Sequence, residues 1–319
     1  MKIVFFNRWH NGDVFSAKGY IQDLIQQLRG INPQVEISHC QINPYKTMVD
    51  LGINHIPAEE LPPGLLDQHR FGDVNGIFYI NTWIGSYGND AIPPGEQHAN
   101  YPSLHTMWRQ IYDHLNKRYS IQLEFTEDVG RYIATSDWVQ WQIANAFTWV
   151  SQNANNNVLV CNGLVRSTQT NVGLMDDIVR QLAAEYREHR FICTNRFSTE
   201  GFPHTDNIYF TDDINRGCVD GDINEIAFIS TRCDVIIGKN SGPFMFTHVK
   251  ENLLDPNKAF VSLSHRPSDS YVFGIKGFPC RYYHSSSDDS PTVTAAIRRA
   301  IDEKGSKSPL EMIITDPTT

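Results

Sequence analysis

Two stretches of this 319-residue chain carry residue types at a spacing suited to chemistry. The first is Cys233 to Val249, CDVIIGKNSGPFMFTHV. Asp234 to Gly238 is a β-branched run closed by a glycine, and Ser241-Gly242-Pro243 opens an apolar segment. That order predicts strand, tight turn and helix start. Ser241 suits the N-cap, Pro243 falls where its missing N–H is harmless, and Gly242 admits a ligand close to the backbone. The free N–H groups and dipole of such a helix would receive a phosphate or carboxylate, with Lys239 adding charge. An ordinary strand-to-helix turn accounts for the same residues without a ligand. The second stretch is Asn11-Gly12-Asp13-Val14, where Asp13 stands between a strand and a helix, placed to act as a general base or to cap the helix.

Hydrophobic spacing predicts the scaffold. Lys2 to Arg8 reads as a parallel strand covered on both faces, Val14 to Leu28 as a helix and Val35 to Cys40 as a strand. Pro44 to Phe71 reads as loop with short helical pieces, and Gly76 to Ile84 as a strand broken by Gly85 to Asn89. Tyr101 to Tyr119 has an apolar stripe of helical period, which is either core or an aromatic platform for a sugar. Val139 to Val150 is helical in spacing, and the Asn-rich stretch from Ser151 to Asn157 reads as a domain linker and hinge.

The second half repeats the rhythm. Val158 to Cys161 and Phe191 to Thr194 read as strands ending in Asn162-Gly163 and Asn195-Arg196, with a helix over Met175 to Arg187. Ile208 to Phe210 is a further strand. Asp222 to Thr231 is a helix with Glu225 completing a capping box; Ala259 to Leu263 is a strand and Pro291 to Glu303 a closing helix. The alternation predicts an α/β protein of two Rossmann-like lobes, 1–150 and 158–319, whose parallel sheets face a central cleft. Open α/β sheets hold ligands at the carboxyl ends of their strands. Arg8, His10, Asn11, Gly12, Asn81 and Trp83 are therefore the candidates in the first half. Asn162, Gly163, Arg166, Thr194, Asn195, Arg196 and the turn Lys239-Asn240-Ser241-Gly242 are those of the second.

Composition narrows the function classes. The net charge of −9 provides no broad basic field for nucleic acid or an anionic membrane. No run of about 18 apolar residues suggests a transmembrane helix, and the start Met1-Lys2 passes directly into a strand, so a cytoplasmic protein is expected. The six cysteines form no CxxC pair and read as buried thiols. The histidines show no metal-ligand spacing, and Asp220-Gly221-Asp222 reads as a helix cap in preference to a metal-binding Asp pair. GxSxG, GxxxxGK[ST] and GxGxxG are all missing, which disfavours hydrolase, P-loop and nicotinamide readings.

The pairing of Asn11-Gly12-Asp13-Val14 with Gly238-Lys239-Asn240-Ser241-Gly242-Pro243 resembles the two-lobed GT-B glycosyltransferases, and among them the heptosyltransferase-like enzymes. The resemblance implies that Asp13 is the general base and that the second turn receives the donor diphosphate. It makes the first lobe the acceptor side and the second the donor side. The chain departs from the family in having Asn240-Ser241-Gly242 where Asp-Thr/Ser-Gly is usual, and Phe244-Met245-Phe246 where a histidine is usual. What is implied is a metal-independent transferase without a cofactor, moving a sugar from a nucleotide-sugar donor to a glycan or small acceptor. A nucleotide-sugar epimerase of the same architecture and a non-catalytic two-lobed binding protein are the alternatives.

Overall fold

The computed structural model describes residues 1–9, 11–41, 47–65, 67–91, 103–135, 148–149, 152–153, 155–165, 175–214, 223–265, 278–304 and 313–314. The described residues fall into two compact units, those up to 135 in one and those from 148 onward in the other.

The first unit contains β1 (Lys2–Asn7), α1 (Asn11–Ile31), β2 (Glu36–Gln41), β3 (Asn54–Ile56), β4 (Phe71–Val74), β5 (Ile77–Asn81) and α2 (Leu104–Tyr119). Its sheet runs β3-β2-β1-β5-β4, parallel except for β4. β1 is central, with Phe5 and Phe6 fully buried, as its continuous apolar run requires. The stretch read as loop holds the short edge strand β3, and the other edge strand, β4, begins at its last residue, Phe71. Both are too brief and too polar to show a period, and their neighbours in the sheet supply the pairing. Asn75 and Gly76, both at positive φ (53° and 77°), close a two-residue hairpin between Val74 and Ile77, the conformation that Asn-Gly favours. The α2 stripe is core: Trp108, Ile111 and Tyr112 are fully buried, and Trp108 stacks on Tyr20 at 5.3 Å. No sugar platform lies on that helix.

The second unit has a seven-stranded sheet, parallel throughout, in the order β12-β11-β10-β9-β6-β7-β8. Its elements are β6 (Asn157–Cys161), α3 (Met175–Glu185), β7 (Arg190–Cys193), β8 (Ile208–Phe210), α4 (Thr211–Ile214), α5 (Ile223–Ser230), β9 (Val235–Lys239), α6 (Gly242–Phe246), α7 (Lys250–Leu253), β10 (Ala259–Leu263), β11 (Arg281–Ser285), α8 (Ser290–Asp302) and β12 (Ile313–Ile314). The strands β6, β9 and β10 are buried along their whole length, and α8 closes over them with Ile297 and Ala300 inward. Asp289 caps α8 by accepting the Thr292 N–H at 3.0 Å.

The Asn-rich stretch is tied down. Asn157 already belongs to β6, and its side chain donates to the carbonyls of Asn153 and Arg232. Asn156 takes a positive φ of 57°, and its N–H reaches Asp234 at 3.1 Å. Trp149, at the end of the expected helix 139–150, packs edge-on against Tyr209 of β8; the rest of that helix, apart from Thr148, lies outside the described residues. The side chains expected to make a linker are instead the footing of β6. Lys258 does similar work for β9: its buried ammonium donates to the carbonyls of Ser230, Thr231 and Cys233, closing the end of α5 just before that strand.

The five described cysteines, Cys40, Cys161, Cys193, Cys233 and Cys280, are free and buried. Among the described residues no helix is long and apolar enough to cross a membrane.

Candidate functional site

In the second unit the chain starts at β6, builds β7 and β8 on one side, then crosses to β9 and builds outward through β10 to β12. The switch point therefore lies between β6 and β9, which pair near their carboxyl ends in the register Cys161↔Gly238. Two loops leave the sheet side by side there, Asn162-Gly163 and Asn240-Ser241-Gly242, in the crevice where such sheets hold ligands. Lys239 ends β9 and is only 7% exposed. Among the described residues it makes no hydrogen bond or ion pair. Burial pulls its pKa below the ordinary lysine value, and the nearby Asp176 carboxylate opposes that shift. A desolvated ammonium without a fixed partner is poised to take an anion.

The other candidates of this unit divide into two sets. Asn162, Gly163, Thr194 and Asn195 come together, but they bind one another. The Asn162 amide accepts the Asn195 N–H at 2.8 Å and donates to the Asn195 carbonyl at 2.9 Å and to Asp176 at 3.1 Å. Thr194 points its hydroxyl at Asn195 Oδ1 at 3.3 Å. A Cβ on Gly163 would stand 2.5 Å from Asn195 Oδ1, so glycine is what lets that amide in. These side chains brace the ends of β6 and β7. Arg196 pairs with Asp213 at 2.8 Å over the Phe210 ring. Arg166 lies outside the described residues, as do Asp220, Gly221 and Asp222.

The turn itself departs from expectation in two ways. Ser241 has the extended backbone of an N-cap (φ −136°, ψ 166°) but makes no side-chain capping bond, and its Oγ is enclosed without a partner among the described residues. The helix it opens is a single turn, too short for a large dipole. It ends because Thr247 Oγ1 and His248 Nδ1 bond back to the Phe244 carbonyl at 2.6 and 3.0 Å, competing with helix continuation. His248 Nε2 meets the Tyr282 hydroxyl at 3.0 Å, and burial drops its pKa to about 4, which makes it a neutral structural group. Gly238 leaves room for Phe244, whose ring a Cβ would meet at 2.2 Å; at Gly242, by contrast, a Cβ meets nothing within 4 Å. Asn240 is buried, its N–H reaching the Leu263 carbonyl at 3.3 Å.

The first unit has its own switch point, between β1 and β5, in the register Phe6↔Asn81. Both strands end in the same pattern, Asn-x-Trp. Asn7 Oδ1 accepts the Trp9 N–H at 3.0 Å, and Asn81 Oδ1 accepts the Trp83 N–H at 3.0 Å. The two indoles then stack, centroids 4.6 Å apart and planes 28° apart. Asn81 is 1% exposed, and its amide also donates to the Asp67 and His69 carbonyls. It positions the loop and does not itself face a ligand. Arg8 donates to the Leu65 carbonyl at 3.4 Å and pairs with Asp67 at 3.6 Å, both side chains remaining 39% exposed.

Asp13 is not an N-cap. α1 begins at Asn11, so Asp13 is the third helical residue, half-buried in the first turn, where a carboxylate meets the positive end of the helix. Asn11 and Gly12 are buried in that turn, and the Gly12 carbonyl accepts the Ser16 hydroxyl at 2.8 Å. His10 lies outside the described residues. The sequence reading missed Trp9, Asp67 and Asp176; of these, Trp9 was signalled by the repeated Asn-x-Trp.

No family model matches the sequence, and no curated protein matches it. Among solved structures the chain is similar to a glycosyl transferase family 9 protein from Veillonella parvula, at 10% identity and a TM-score of 0.51, over 95% of this chain and 98% of that one. Escherichia coli heptosyltransferase WaaC with ADP aligns at 9% identity and a TM-score of 0.49, over 95% and 99%. Staphylococcus aureus MnaA with UDP aligns at 10% and 0.47, over 95% and 88%. The V. parvula likeness is one of fold: the described residues form two Rossmann-like units, as in the GT-B fold.

Proposed function

We propose that the protein is a metal-independent glycosyltransferase that takes a sugar from a nucleotide-sugar donor held at the β6/β9 switch point and passes it to an acceptor held by the first unit. The observation that carries this reading is Lys239, a buried ammonium with no hydrogen bond or ion pair among the described residues, beside an open glycine turn at a parallel-sheet switch point. The V. parvula protein with the same fold is described as a glycosyl transferase, which supports the reaction class.

In the proposed reaction the acceptor hydroxyl gives its proton to Asp13 as its oxygen bonds to the donor's anomeric carbon. The bond from that carbon to the diphosphate breaks, and both electrons leave with the phosphate oxygen. Lys239 and the N–H groups of the turn neutralise the departing charge, the task a metal performs in other transferases. Asn162 holds the loop ends at which that charge collects.

Calorimetric titration of ADP, UDP and GDP into the wild type and the Lys239→Met variant tests the reading. One nucleotide is expected to bind the wild type and to lose roughly 10- to 100-fold in affinity in the variant, the range of one charge-assisted hydrogen bond. Equal affinity in both would move the diphosphate away from Lys239. Release of nucleoside diphosphate is expected to continue in EDTA; a strict divalent-metal requirement would overturn the metal-independent mechanism.

A further inference from the structure

The paired indoles at the first unit's switch point are more than packing. Several aromatic side chains of this unit, Trp108, Tyr20, Tyr112 and Tyr132, are fully buried. Trp9 is 40% exposed and rests on Trp83. An exposed indole is normally mobile, yet both of these are held at the backbone by the asparagine two residues earlier. Gly85 adds space for the arrangement, since a Cβ there would fall 2.2 Å from the Trp83 ring. The carboxyl ends of β1 and β5 thus offer an apolar plane fixed in direction before any ligand arrives.

A polar fixture shares the same anchor. Asn81 Nδ2 donates to the Asp67 carbonyl at 2.7 Å while Asn81 Oδ1 holds Trp83. One buried amide therefore sets the aromatic plane and the loop carrying the Asp67 carboxylate, which pairs with Arg8, the immediate neighbour of Trp9. An apolar plane and a half-exposed guanidinium–carboxylate pair tied to the same buried amide match one ligand chemistry well. A pyranose has a face of C–H groups for the indole and a rim of vicinal hydroxyls that both donate and accept, as Arg8 and Asp67 together require. A purely apolar partner would leave that pair unused, and a polyanion would be repelled by Asp67.

We infer that Trp9, stacked on Trp83, is the platform for a neutral sugar ring of the acceptor, with its hydroxyls on Arg8 and Asp67. This rests on the reading of the first unit as the acceptor side and specifies what that acceptor presents: an uncharged pyranose at its receiving end.

The test uses the full chain labelled with 5-fluorotryptophan, whose six indoles give separable fluorine resonances; Trp9→Phe and Trp83→Phe assign two of them. Methyl glycosides of glucose, galactose, mannose and N-acetylglucosamine are titrated, followed by ADP and UDP. At least one glycoside is expected to shift the Trp9 and Trp83 resonances while leaving the buried Trp108 unmoved. Trp9→Ala should weaken that glycoside about tenfold or more, and Trp9→Phe should retain part of the affinity. Nucleotide affinity should be unchanged in both. If no glycoside moves either ring, or if a nucleotide moves them instead, the platform proposal is overturned. Nucleotide binding lost in Lys239→Met but intact in Trp9→Ala would show that the donor reading survives such a failure, so the two are judged separately.

Discussion

Asn162 and Asn195, at the carboxyl ends of neighbouring strands, are joined by a two-point latch: one amide side chain accepts the other residue's N–H at 2.8 Å and donates to its carbonyl at 2.9 Å. The same amide nitrogen reaches Asp176 at 3.1 Å. Asn162→Asp keeps the shape and removes the donor, setting a carboxylate against a carbonyl and a second carboxylate. A loss of about 1–3 kcal/mol in urea unfolding is expected, the cost of leaving buried polar groups unpaired. Nucleotide affinity should fall with it, because the β6 loop loses its position. An unaltered unfolding midpoint would mean that the latch contributes nothing.

Lys239 ties affinity and stability to pH with opposite signs. Its pKa in the folded protein lies below the ordinary lysine value because burial disfavours the ammonium. Between that lowered value and the unfolded value the unfolded chain binds more protons, so wild-type stability rises with pH across this window. Lys239→Met should therefore melt at the same temperature as the wild type or higher at pH 7, the difference closing as pH rises through the window. Nucleotide affinity runs the other way: it should fall in the wild type as Lys239 deprotonates, earlier than an exposed lysine would dictate, and stay flat in the variant. A destabilised Lys239→Met at pH 7 would contradict the first half, and parallel affinity curves the second.

Gly238 and Gly242, four residues apart, should respond in opposite ways. Alanine at 238 forces the Phe244 ring to move, with an expected loss of about 1–3 kcal/mol from overpacking. Valine at 242 enters open space, so the fold should hold while nucleotide affinity drops if the diphosphate lies against the turn. Thermal melts and titration on the same two proteins check both statements.

Because α1 starts at Asn11, Asp13 stands in its first turn, where a carboxylate gains about 0.3–1 kcal/mol from the helix dipole. Asp13→Asn and Asp13→Ala should then both lose this interaction with the helix end, whereas a cap would have spared the asparagine variant. If Asp13 is the base, both should lower turnover by about 10² to 10⁴. Full activity of the asparagine variant in a nucleotide-release assay would remove Asp13 from the mechanism.

Much of the framework was legible along the chain. Runs such as Ile3 to Phe6 and Val235 to Ile237 are buried on both faces, and a strand interior in that environment has to be apolar at every position, so it announces itself locally. Strand ends rich in Asn and Gly marked both switch points for the same local reason. The edge strands β3, β4 and β12 were not legible, since their pairing energy comes from a neighbour distant in sequence. Neither was the fate of the candidate polar residues. Asn162, Asn195 and Asn81 have the composition of ligand-binding groups, but tertiary contacts satisfy their amides internally, while Lys239 makes no hydrogen bond or ion pair among the described residues and Trp9 stays 40% exposed where it stacks on Trp83. The single-turn α6 was decided in the same way: an apolar run favours a helix, but the side chains of Thr247 and His248, held by the packing of Phe244 and Tyr282, bond to its carbonyl and end it. Local sequence determined where the strands and their polar ends fall, because burial period and turn chemistry act over a few residues. Only the tertiary structure decided which of those polar ends were consumed as braces, because hydrogen bonds such as Asn162 to Asn195 and Asn81 to Asp67 join residues that are not neighbours in the chain.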